Sequence, residues 1–166
     1  RIIKKNLQST DLGYKVCYEV THHGPFLRTP TLFVEVGSTE VQWQQKEPAC
    51  VIATSLLEML PTFQYEKDFP KDIPVLLGIG GGHYAPRFTE IAFQKKVAFG
   101  HMIPTYKVDE GTLDDEILEK AIQATPDITG VYLHKKDLKK SQVTHFRNWF
   151  EKRGIPLSSS KELEDL

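Results

Sequence analysis

Cysteine is scarce in this chain: Cys17 and Cys50 are the only two among 166 residues. They stand too far apart for a CxxC zinc site, and two are too few for a disulfide scaffold. A reduced, cytoplasmic setting is therefore the default reading. Long apolar runs are missing as well. No stretch approaches the roughly 18 consecutive apolar residues of a membrane-spanning helix, and no charged-then-apolar leader opens the sequence, so no membrane partner is expected. An excess of one charge is absent too, since 21 basic and 22 acidic side chains leave a net charge of −1. That balance excludes a global pull toward DNA, and an RNA partner would have to meet a local basic surface. The first residue is Arg1, not Met, as expected of a piece of a longer protein. What is present, 40% hydrophobic and 26% charged residues, suffices for a single α/β domain over 1–166 with one core.

Hydrophobic patterning assigns the elements. YKVCYEV (14–20) and TLFVEV (31–36) are rich in β-branched and aromatic residues and read as strands. Thr39 followed by Gln42 is a capping-box pattern opening a helix. Pro48 should break that helix and stand in the first turn of the next, which runs through Leu60. IPVLLGIG (73–80) is almost wholly apolar, the pattern of a strand buried on both faces. A helix from Pro86 to about Gln94, a strand at 96–103, a helix at 113–122 and a strand at 130–134 follow. The last helix is expected over 141–153 with Ser141 as its cap, and 158–166 as a polar tail, frayed or briefly helical. Alternating strands and helices imply a mostly parallel or mixed sheet with helices on both faces.

The six histidines are distributed unevenly. His22 and His23 end the first expected strand, His83 follows the buried one, His101 lies late in the next, and His134 ends the last. Open parallel sheets bind ligands beyond the carboxyl ends of their strands, so this edge would be lined with imidazoles. Imidazole serves as a metal ligand, a general base or a donor to a developing oxyanion. Glu19 would share a strand face with His23 if that strand persisted, and Glu35 would bring a carboxylate to the same edge. Histidines and carboxylates with one open position form the pattern of a catalytic zinc site. A single strand-end histidine more often only bonds a backbone carbonyl, and His134 and His145 are read that way. Clustering favours function for His22, His23 and His83.

GIGGGHYAPR (78–87) has the first two glycines of a dinucleotide fingerprint but a histidine where the third belongs, and it lacks the P-loop lysine. A nest of backbone N–H groups at Gly80, Gly81 and Gly82 can still hold a carboxylate, a phosphate or an oxyanion. Arg87 follows and is suited to a bidentate phosphate contact. Lys135, Lys136, Lys139 and Lys140 in HKKDLKK can grip a polyanion beside a strand end, although such runs are usually only solvated surface.

EVTHHGP, FVEVGSTEVQW, GIGGGHYAPRFTE and GHMIP, in this order, resemble the archaeal and plant type of D-aminoacyl-tRNA deacylase. The resemblance runs from about Tyr14 to the last helix. It implies a fold similar to peptidyl-tRNA hydrolase and the nucleoside phosphorylases. The activity implied is hydrolysis of the ester joining a D-amino acid to tRNA, a proofreading reaction, with zinc as cofactor. His22, His23, Glu35, His83, Arg87 and His101 occupy the matching motif positions. Val20 and Phe26 depart from the small residue and the threonine that usually flank THHGP, and Thr105 stands where a lysine is common. The family's proteins are longer at the N-terminus. Two other classes fit the residues: a nucleoside phosphorylase-like enzyme using Arg87 for free phosphate, and a non-catalytic tRNA-binding module using the lysines.

Overall fold

The apolar run between Pro74 and Gly80 becomes β1 (Val75–Ile79), and every one of its residues is buried. In a computed structural model of the chain, residues 1–22, 27, 29, 31–63 and 72–166 are described. They fall into two compact units, Arg1–Val16 with Gly24–Pro70, and Cys17–His23 with Lys71–Leu166.

The first unit is helical. It contains α1 (Ile2–Gln8), α2 (Glu40–Trp43) and α3 (Lys46–Met59). The chain does break before Pro48, which sits in the first turn of α3, where its missing N–H leaves no helical bond unmade. Thr39 is the N-cap of α2, but its hydroxyl bonds the Gln42 side chain instead of the helix backbone. Asn6 on α1 donates to Ser55 Oγ (3.0 Å) and to Glu58 (3.1 Å), and Lys5 pairs with Glu58 at 3.2 Å. These bonds hold the Glu58 carboxyl below its usual range and tie α1 to α3.

The second unit is an α/β layer structure. β1 lies between β2 (Ala98–Ile103) and β3 (Gly130–Leu133), both parallel to it. Between the strands run α4 (Pro86–Gln94), α5 (Thr105–Asp109) and α6 (Asp115–Gln123), and α7 (Lys140–Glu151) follows β3. Alternation along the strands sorts the core into two layers. Leu77, Ile79, Ile103, Val131 and Leu133 face Leu118 of α6 and Phe146, Trp149 and Phe150 of α7. Leu76, Met102 and Tyr132 face Phe88 and Ile91 of α4. Gly78 allows α4 close approach: a Cβ there would stand 3.0 Å from the Phe88 ring. The expected parallel sheet flanked by helices is therefore present.

Three local expectations need correction. Neither 14–20 nor 31–36 pairs in a sheet among the described residues. Their side chains suit a strand, but a strand also requires a neighbouring backbone. Near 17–21 the backbone N–H groups find other acceptors: Tyr18 donates to Thr89 Oγ1 (2.9 Å), Val20 to the His83 carbonyl (2.9 Å) and Thr21 to the Met102 carbonyl (3.0 Å). Leu32, Phe33 and Val34 remain exposed. Secondly, α7 is capped by Lys139, not Ser141, and the Lys139 backbone N–H donates to Gln142 Oε1 at 2.7 Å. Thirdly, the tail is neither frayed nor helical. Leu157 bridges to Val131 and Asp165 to Lys95, and Leu163 is buried in the α4 layer. One apolar residue within a polar run is a weak sequence signal, yet it is the anchor here.

Candidate active site

Because the three strands are parallel, their carboxyl ends share one edge, where Gly80, Pro104 and His134 continue the chain. The chain leaves β1 toward α4 on one face, while α6 and α7 cover the other. Connections that part in this way open a crevice at the end of the central strand. Gly80 (φ +104°) and Gly81 (φ +85°) turn the backbone there through conformations that side chains rarely adopt. A Cβ at Gly80 would also meet the His134 carbonyl at 3.1 Å. The Gly80 N–H donates to Ile103 O, and the Gly81 carbonyl accepts from Thr105 N–H. The N–H groups of Gly81, Gly82 and His83 have no backbone acceptor among the described residues. Ala85, at φ 40°, is a non-glycine residue in the left-handed region just before Pro86, local strain of a kind concentrated at functional sites.

Segment 17–22 closes over this loop. Val20 is buried in the α4 layer and bonded to the His83 carbonyl, and Thr21 is bonded to Met102. The side chains on either side then converge. His22 Nε2 lies 3.9 Å from one Glu19 carboxylate oxygen, and His83 Nε2 lies 3.7 Å from the other. The two imidazole rings meet edge-on with centroids 4.2 Å apart. One ligand-type atom from each of Glu19, His22 and His83 lies within 4.8 Å of the others, and all three residues are exposed. The Nδ1 of His22 is 2.6 Å from the Val20 carbonyl. A carbonyl only accepts, so Nδ1 carries a hydrogen and donates it. Together the three residues offer two imidazole nitrogens and a carboxylate oxygen, donor types that a zinc ion accepts.

His101 stands on the adjoining strand. Its Nδ1 is 3.0 Å from Thr21 Oγ1, and its backbone N–H donates to Thr125 Oγ1 at 3.4 Å. Burial pushes the His101 imidazole below its ordinary pKa, since a low-dielectric setting disfavours the charged form. His134 is mostly enclosed, with Nδ1 3.1 Å from Asp137 Oδ2 but outside hydrogen-bond alignment.

The structure thus gathers His22 and His83 directly, and places His101 against the residue next to His22. His23 lies outside the described residues. Glu35 is exposed and belongs to the first unit. Arg87 directs Nε to Tyr132 Oη (3.2 Å), Nη1 to Glu90 (2.6 Å) and Nη2 to Ser160 Oγ (3.0 Å). These bonds, with Tyr132 foremost, raise its pKa further. Lys135 and Lys136 are exposed in a short 3₁₀ turn after β3. Lys139 pairs with Asp109 at 3.5 Å, and Lys140 is exposed at the start of α7. Glu19 stands against His22 and His83, a contact that strand alternation does not indicate. Strand periodicity pairs it with His23, whereas without a regular strand it turns to His22 and His83. Thr21, the first residue of THHGP, was not singled out from sequence because a threonine has no distinctive site chemistry of its own.

A parallel α/β sheet with imidazoles and a carboxylate at its switch point defines the class. Comparison with known proteins narrows it. Residues 1–158 match the family model described as D-aminoacyl-tRNA deacylase. A D-aminoacyl-tRNA deacylase of Methanoculleus marisnigri is 38% identical over 154 residues, covering 92% of this chain and 32% of that protein. One of Thermococcus kodakarensis is 39% identical over 140 residues, covering 83% of this chain and 48% of its own. The crystal structure of a conserved protein of unknown function superposes with a TM-score of 0.83 at 28% identity, over 98% of this chain and 56% of the other. The chain belongs to the D-aminoacyl-tRNA deacylase family. It spans about half or less of the length of these relatives.

Proposed function

We propose that this chain carries the hydrolytic centre of a cytoplasmic D-aminoacyl-tRNA deacylase, cleaving the ester between a D-amino acid and the 3′ end of tRNA. The observation that supports it most is the convergence of Glu19, His22 and His83 beside a glycine loop whose N–H groups have no backbone acceptor among the described residues, in a chain of this family.

Glu19, His22 and His83 are the residues that would hold zinc. A zinc ion held there would supply Lewis acidity and lower the pKa of water toward neutrality. The remaining work falls to the chain itself. The Val20 carbonyl holds the Nδ1 hydrogen of His22 and so fixes the orientation of its ring. The N–H groups of Gly81, Gly82 and His83 would receive the negative charge that develops on the ester carbonyl oxygen. Lys135, Lys136 and Lys140 stand on the same sheet edge and would bind tRNA phosphates. The phosphorylase-like alternative requires Arg87 for free phosphate, and that guanidinium is already bonded to Tyr132, Glu90 and Ser160.

The test is hydrolysis of D-tyrosyl-tRNA against L-tyrosyl-tRNA by the purified protein and its His83→Ala variant. Release of the D-amino acid only, lost in the variant, is expected. Equal turnover of both isomers, or undiminished turnover by the variant, overturns the assignment.

A further inference from the structure

Thr21 makes three contacts that together constrain one proton. Its backbone N–H donates to the Met102 carbonyl at 3.0 Å. Its hydroxyl oxygen accepts from the Met102 backbone N–H at 3.4 Å. The same hydroxyl lies 3.0 Å from His101 Nδ1. Thr21 therefore pairs with Met102 as a strand neighbour would, except that its side-chain oxygen stands in for its own carbonyl. With one lone pair of Oγ1 taken by Met102, the hydroxyl hydrogen has a single acceptor among the described residues, His101 Nδ1. If Nδ1 instead carried a hydrogen, both lone pairs of Oγ1 would be filled by donors and its own hydrogen would turn away from the protein to solvent.

We infer that Thr21 is a positioning residue that holds His101 as the neutral tautomer with its hydrogen on Nε2, making that N–H a fixed donor toward the substrate. Two observations stand beside this geometry. His101 Nε2 has no protein hydrogen bond among the described residues and is not one of the enclosed unpaired atoms, so it is not sealed from solvent. Burial also favours the uncharged ring. Thr21 is covalently next to His22, so the residue that sets the His101 proton is fixed to the Glu19–His22–His83 cluster through the backbone. A neutral imidazole donor polarises a carbonyl without having to give up its proton. The role rests on the deacylase reading above, where the acceptor is the ester carbonyl oxygen. The tautomer does not.

The experiment separates the two. Side-chain ¹⁵N shifts and ¹H–¹⁵N correlations of His101 are recorded in the wild type, Thr21→Val and Thr21→Ser, alongside kcat and KM for D-tyrosyl-tRNA. The wild type and Thr21→Ser should show hydrogen on Nε2 only, and Thr21→Val a mixture of tautomers. With the mixture, kcat should fall about tenfold or more, with KM within about twofold and recovery in Thr21→Ser. Hydrogen on Nδ1 in the wild type, or a tautomer unmoved in Thr21→Val, overturns the inference. A moved tautomer with unchanged kcat overturns the catalytic role assigned to it. Wild-type protein that leaves D-tyrosyl-tRNA intact refutes the deacylase reading alone, because the NMR result is read without turnover. If Thr21→Val does not fold, the wild-type and Thr21→Ser tautomers still decide the assignment.

Discussion

His22 donates its Nδ1 hydrogen to the carbonyl of Val20, two residues back and 2.6 Å away. Val20 is itself bonded through its N–H to the His83 carbonyl. The same short segment thus sets the ring orientation of one imidazole and the backbone position of the other. Glu19, the next residue back, closes the group against both rings.

Metal binding should follow from this arrangement. Equilibrium dialysis against zinc, followed by elemental analysis, should find one ion per chain. Glu19→Gln, His22→Ala and His83→Ala should each weaken retention by about tenfold or more. Equal retention in all three variants would move the metal elsewhere.

The lysines after β3 should be read through salt. In tRNA binding, the slope of log K against log salt falls by about one for each phosphate contact removed. The double variant Lys135→Ala, Lys136→Ala should therefore have a slope shallower by about two. An unchanged slope would leave both lysines as solvated surface.

Stability of the α/β unit should respond at Gly78. A methyl group there meets the Phe88 ring at 3.0–3.1 Å and Met102 Cγ at 3.2 Å. Gly78→Ala should cost about 1–3 kcal/mol by overpacking, seen as a lower urea midpoint. An unaltered midpoint would mean that α4 can retreat freely from β1.

The C-terminal segment should prove structural. Leu163 is 8% exposed, and the chain around it is held by Lys96 N–H to the Glu164 carbonyl (2.9 Å) and by the Lys95–Asp165 pair (2.7 Å). Leu163→Ala should cost about 2–3 kcal/mol in the same denaturation measurement. A loss below about 0.5 kcal/mol is what a surface residue gives, and would contradict this packing.

His101 should make stability pH-dependent with a definite sign. Its folded pKa lies below the ordinary 6.5. Between the two values the unfolded chain binds more protons, so stability rises with pH. The contribution is complete above about 6.5 and declines as pH falls from there toward the lowered folded pKa. Urea midpoints between pH 5 and 8 should therefore slope more steeply for the wild type than for His101→Asn. Parallel profiles would assign the slope to other groups.

Much of the α/β unit was legible in the chain. The continuous apolar run before Gly80 has the pattern of a strand covered on both faces. Pro86 marked the first turn of α4 because a ring without an N–H suits that position. The glycines of 78–82 and His83 were legible as a special loop for the same local reason. The segments 14–20 and 31–36 were misread because alternation reports which side chains suit half-burial, while the partner backbone that makes a strand comes from elsewhere in the chain. Leu163 passed unnoticed because one apolar residue has no periodicity.

By itself, then, the sequence determined which chemical groups were available and which short stretches would become strand, helix or tight turn, since torsional preference and apolar spacing act over a few residues. Tertiary structure alone decided which of those groups meet. Two backbone hydrogen bonds, from Val20 to His83 and from Thr21 to Met102, span 63 and 81 positions of the chain. They turn Glu19 and His22 toward His83, and Thr21 toward His101. Such a choice depends on where distant backbone donors find acceptors, and no local pattern encodes it.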